Sequence, residues 1–195
     1  MVVEPLNAVV HWLYDQEHFI NHFSMIIHRQ GHLDALCGIY SVINSLSLLL
    51  NHQLDSKALF AYLIRHLRHS IAANLVEGFS LAEQINALRL GSRYLMTRQD
   101  VRLRFHSRSA NTLQQYWHGM RSHYQQHGAG SIVLSINEGY NHWTCVRHIT
   151  ERTIVFADSD EADRLRRSNI TIKRPTKKRA YKLLPKETFL LSLHR

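Results

Sequence analysis

Three residue types that together can perform nucleophilic chemistry stand at suggestive places in this chain: Cys37, His142 and Asp158. Cysteine catalysis needs a thiolate, a base to make it, a group to orient the base, and donors for the oxyanion of a tetrahedral intermediate. Cys37 lies in HLDALCGIYSVINSL, at or near the start of an apolar helix. There, unpaired backbone N–H groups and the helix dipole lower a thiol's pKa and bind a developing anion. Gly38 would leave the approach to the sulfur uncluttered. His142 follows the turn-like NEGYN and opens the strand HWTCVRHI, and Asp158 closes the next strand, RTIVFAD, 16 residues on. A tight turn between two strands puts the start of the first beside the end of the second, so this carboxylate can hold the imidazole tautomer. A lone cysteine before an apolar helix equally describes a packed core residue. Agreement of order, spacing and element at three positions favours chemistry. Cys145 lacks such agreement and reads as a small packed residue.

The elements that must position these groups follow from periodicity. Leu6 to Ile27 has apolar residues at helical spacing, interrupted around Asp15 to Glu17, and Leu33 to Leu50 is a strongly apolar helix. Ser56 to Ile71 reads as a third helix with Asp55 or Ser56 as its N-cap. Ser80 caps LAEQINALRL with Glu83 completing a capping box, and Gly91 is the expected stop. Thr112 to Gln126 reads as a further helix, ended by HGAG. After it, SIVLSI, HWTCVRHI, RTIVFAD and NITIKR are β-branched and aromatic runs of strand length. A helical half followed by an antiparallel half is an α+β pattern.

At 195 residues the chain suits one domain spanning 1–195. Its two cysteines have no CxxC spacing, so neither a zinc ribbon nor a dithiol motif is expected, and free thiols suit a reducing compartment. His66 and His69 share a helical face without a third ligand, so no metal or other cofactor is expected. The N-terminus lacks the pattern of a signal peptide, and no apolar run reaches the ~18 residues of a membrane span. The net charge of +9 is concentrated: ten Lys and Arg residues lie between Arg164 and Lys186 with no acid, leaving 14 basic against 15 acidic residues elsewhere. A run of this kind is a solvated face or a docking surface for an acidic partner. With Tyr181 as its single aromatic it makes a poor platform for nucleic-acid bases.

The order Cys, His, Asp, with the cysteine at a helix start and the other two on neighbouring strands, resembles the papain-like cysteine peptidases. It resembles more closely the double-glycine leader peptidases that process bacteriocin precursors, and their freestanding relatives. The matching residues are Cys37 and Gly38, Ser41 and Asn44 behind them, NHWTCV around His142, and FADSDE around Asp158. The likeness runs from about Gln30 to Glu161. It implies a papain-like fold, with the helical N-terminal half packed on the antiparallel sheet. It also implies a triad of Cys37 as nucleophile, His142 as base and acid, and Asp158 as orienter, with Gln30 donating to the oxyanion. The activity implied is that of a bacterial thiol-dependent hydrolase or acyl transferase acting on a protein or peptide, most simply a cysteine peptidase cleaving a peptide or isopeptide bond. Deamidation and transglutamination stay open, because all pass through the same thioester. The expected setting is the cytoplasm, or a host cell after delivery as an effector. The alternative is a non-catalytic papain-like module that docks an acidic partner through the basic segment at about 164–186.

Overall fold

The computed structural model describes residues 26–31, 34–107, 109–138, 140–160 and 162–194. The helix expected over Leu6 to Ile27 lies outside these but for its last two residues, which form no regular element.

The apolar run after Gly31 becomes α1, Cys37–Leu49, with Cys37 as its first residue. Nearly every side chain of α1 is buried, and its polar ones find partners: Ser41 Oγ donates to Gly38 O at 2.8 Å, and Ser45 Oγ donates to Gly130 O. The helix expected over Ser56 to Ile71 is α2, Ser56–His66, which ends earlier, and after a turn a further short helix that the sequence reading did not include, α3, runs over Ile71–Glu77. Asp55 caps α2 by accepting from Ala58 N at 2.9 Å. The capping box of Ser80 and Glu83 starts α4, Leu81–Gln99. Gly91 does not stop α4. A Cβ there would lie 3.2 Å from the Leu46 and Val42 side chains of α1, so the glycine serves close helix packing. The helix ends instead at Asp100, in the left-handed conformation at φ 53°.

Strand β1 (Arg102–Ser107) precedes α5 (Leu113–His127), followed by β2 (Ile132–Glu138), β3 (His142–Ile149), β4 (Thr153–Ala157), β5 (Arg164–Arg166), β6 (Ile170–Thr171) and β7 (Tyr181–His194). The sheet order is β1-β7-β2-β3-β4-β5, antiparallel throughout, and β6 adds a short parallel pairing to β7. The molecule is thus α+β, helices packed on a largely antiparallel sheet.

Two features depart from the sequence reading. NITIKR contributes only the two residues of β6, and they pair in parallel. The basic segment is no appended tail: its last six residues begin β7, which lies between β1 and β2. Pro185 falls where the β2–β7 register shifts, a place where a missing N–H breaks no ladder bond.

Both faces of the sheet are covered. Val133, Trp143, Cys145, Ala157 and Phe189 join α1, α2 and α4 in one apolar cluster. Ile132, Leu134, Ile136, Val146 and Phe156 join Tyr116, Trp117 and Met120 of α5 in the other. Alternation of Ile132, Val133 and Leu134 between the clusters is the two-residue period of a strand, and cover on both faces explains why SIVLSI is apolar without interruption. No described helix is long and apolar enough to cross a membrane.

Candidate active site

The β3–β4 hairpin places the histidine and the aspartate. Cys145 pairs with Ala157, so the residue after β4 comes alongside the start of β3. His142 Nε2 donates to Asp158 Oδ2 at 2.8 Å, and each side chain is 5% exposed. The other carboxylate oxygen, Oδ1, accepts from the backbone N–H groups of Asp160 at 2.8 Å and Ala162 at 3.2 Å. The carboxylate is therefore clamped on one oxygen and orients the imidazole with the other.

With Nε2 committed to Asp158, Nδ1 is the ring nitrogen left to serve Cys37. Cys37 and His142 line the same cleft, and Cys37 is close enough to help raise the His142 pKa. Burial disfavours the charged imidazole, but the hydrogen bond and charge of Asp158, together with those of Cys37, outweigh burial and raise the His142 pKa to about 10. The ring is held protonated at neutral pH, beside a sulfur at the first residue of a helix.

That helix start is fixed from several sides. Leu36, directly before the cysteine, is buried in the core and offers no side-chain cap. The turn before it is organised by Asp34, which accepts from Gly31 N at 2.7 Å and Leu36 N at 3.2 Å. Gln84 Nε2 donates to Ser41 Oγ at 3.1 Å, behind the first turn. Gly38 has a role different from the expected one. A Cβ there would collide with the Phe79 ring and with Gln84 Oε1, so it admits these groups against the helix.

Asn44 ties the pieces together. Its Oδ1 accepts from His28 N at 2.8 Å, and its Nδ2 donates to His28 O at 3.0 Å and to Ala157 O at 3.4 Å. One buried side chain thus joins the cysteine helix to the strand carrying Asp158 and to the chain entering Gln30. Gln30 N donates to Ser159 O at 3.0 Å, and Ser159 Oγ donates to Gln30 Oε1 at 3.5 Å. Gln30 is brought beside Asp158 with its oxygen occupied, which reserves its Nε2 donor for another acceptor. It does not line the cleft onto which Cys37 and His142 open.

That cleft has a volume of about 400 Å³. Its walls are the end of α3 and the turn into α4, with Asn137 of β2, Asn141 and Trp143 around the histidine, and Glu187 of β7. Trp143 Nε1 donates to Phe79 O at 2.7 Å and its ring stacks on Phe189, which anchors the cleft wall. Asn137 Nδ2 donates to Glu187 Oε2 at 2.6 Å. Three larger hollows, of about 700, 670 and 440 Å³, are lined by none of the triad residues, so chemistry and not size singles out the smaller cleft.

Cys145 is fully buried, its Sγ donates to Ala157 O at 3.4 Å, and burial pushes its thiol pKa up. It is a packing residue, as expected. Among the described residues no group of His, Cys, Asp and Glu is arranged to hold a metal ion. No protein-family model matches the chain, and no curated protein matches it.

Proposed function

We propose that the chain is a papain-like thiol enzyme, a hydrolase or acyl transferase, and most simply a cysteine peptidase acting on a peptide or isopeptide bond. The observation that carries this reading is His142 bonded through Nε2 to a clamped Asp158 while Cys37, the first residue of a helix, opens with the same ring onto one cleft. A buried imidazole and carboxylate placed only for packing would need no thiol sharing their cleft.

In the proposed reaction, Cys37 Sγ adds to the substrate carbonyl as a thiolate paired with the His142 imidazolium. The oxyanion is met by backbone N–H groups at the start of α1; Gln30, expected as a donor, takes no part in this step because it does not line the cleft. As the C–N bond breaks, the amine leaves with the proton from His142, giving a thioester on Cys37. Neutral His142 then takes a proton from water, or from an acceptor amine, which attacks the thioester; the C–S bond breaks, the acyl product leaves, and Cys37 is freed as the thiolate paired with the His142 imidazolium. Asp158 keeps the ring in register through both steps. A reducing compartment, the cytoplasm or a host cytosol, suits a free nucleophilic thiol.

Incubation with a complex peptide mixture, read by mass spectrometry, tests the reading. New termini identify a peptidase, Gln-to-Glu conversion a deamidase, and Gln–amine linkage a transglutaminase. Each should vanish in Cys37→Ala. Turnover that persists in Cys37→Ala would refute a thiol mechanism.

A further inference from the structure

The arginines at the far end of the β3–β4 hairpin form a surface that the proposed chemistry leaves unused. The hollows of about 700 and 670 Å³ adjoin there, sharing Glu151 and Arg167. One is lined by Arg152, Arg166, Arg167 and Arg179, and the other adds Arg121. These arginines come from α5, the β3–β4 turn, β5 and the loop before β7, so only part of the basic segment contributes and residues outside it complete the set. Strand β3 has eight residues and spans about 25 Å, so this groove and the His142 cleft lie at opposite ends of one hairpin.

Five guanidinium groups face a single carboxylate. Glu151 lies 3.3 Å from Arg121, and among the described residues Arg152, Arg166, Arg167 and Arg179 have no carboxylate partner. We infer that this groove docks an acidic, extended peptide segment of another protein.

Guanidinium forks match carboxylates two bonds at a time, and arginine supplies every strong positive charge here. Nucleic acid fits the groove less well. The one tryptophan, Trp117, is buried, donates to Thr150 O at 2.9 Å and is covered by Arg167 at 5.6 Å, so it offers no open ring for a base. Glu151, lining both hollows, repels any anionic group alike, but its carboxylate can accept from peptide N–H groups, donors that a phosphodiester linkage lacks. Strand β5 is also the outermost strand of its sheet, and a peptide can add backbone pairing to such an edge.

Fluorescence anisotropy of a labelled Glu-rich peptide against the full chain tests this. Saturable, salt-sensitive binding is expected. Combined Arg152→Glu, Arg166→Glu and Arg179→Glu, all at exposed positions, should weaken it by about tenfold or more. The milder Gln variants at the same positions, checked by thermal melting, should weaken it in the same direction. Lys173→Glu, Lys177→Glu and Lys178→Glu, an equal change of charge outside the groove, should leave binding intact, as should Cys37→Ala. Absence of saturable binding, equal loss in the lysine variant, or displacement by a single-stranded oligonucleotide of equal charge at lower concentration would each overturn the assignment. Because Cys37→Ala is predicted to bind normally, failure of docking and failure of the thiol mechanism are separate results.

Discussion

His142 and Asp158 meet at 2.8 Å with both side chains 5% exposed, and the carboxylate's second oxygen is held by two backbone N–H groups. An imidazole so paired and so dry is both a positioned base and a stored positive charge. Its consequences can be measured without knowing the substrate.

Asp158→Asn keeps the shape of the pair but removes its charge. The His142 pKa should fall from about 10 toward the ordinary histidine value, followed by NMR of the ring protons. Turnover of any substrate found should drop by roughly 10²–10⁴-fold, as expected when a triad's orienting carboxylate is neutralised. An unchanged imidazole titration would remove Asp158 from the role given to it.

The raised pKa also fixes a pH dependence of stability. The folded-state value, about 10, lies above the unfolded value of ~6.5, so folded His142 retains a proton that the unfolded chain releases between them. The stabilisation is complete below about pH 6.5 and is lost as pH rises toward 10. Urea midpoints measured across this window should fall more steeply for the wild type than for His142→Gln. Parallel curves would show that the ring is not held protonated.

Asn44→Ala should loosen three segments at once, because Asn44 bonds to both backbone groups of His28 and to Ala157 O. A loss of about 1–3 kcal/mol in urea unfolding is expected from the backbone groups left unpaired. Faster hydrogen exchange should appear at His28 N and Gln30 N, whose bonds hold the segment containing Gln30 to the rest.

Removing residues from Tyr181 onward should abolish folding, read by circular dichroism and size exclusion, since β7 is paired on both sides. A folded truncated chain would show that the sheet does not need β7.

The sequence made the α+β pattern, the capping box at Ser80 and Glu83, and the His142–Asp158 hairpin legible, because each is local or set by a short turn. Strand β7 was not legible, because Lys182, Pro185 and Lys186 mask its first half and the apolar FLLSL alone does not define a fourteen-residue strand. Strand β1 did carry a signal, since Arg102 and Arg104 alternate with buried Leu103 and half-buried Phe105 in the two-residue period of a strand, and the sequence reading passed over it. Gly91 looked like a helix end because the close approach of Val42 and Leu46 is a tertiary fact. Asn44 was matched by family likeness alone, and its bond to Ala157, 113 residues away, has no local signal. Nor has the Gln30–Ser159 contact, which spans 129 residues.

The central claim is that Cys37 is a nucleophile activated by His142, and the rate of its alkylation by iodoacetamide in the folded protein tests it most directly. Intact-mass and peptide mapping at neutral pH should show fast modification at Cys37, none at fully buried Cys145, and at least about tenfold slower modification of Cys37 in His142→Ala. A Cys37 that resists labelling in the folded wild type, or that reacts equally fast without His142, would contradict the account.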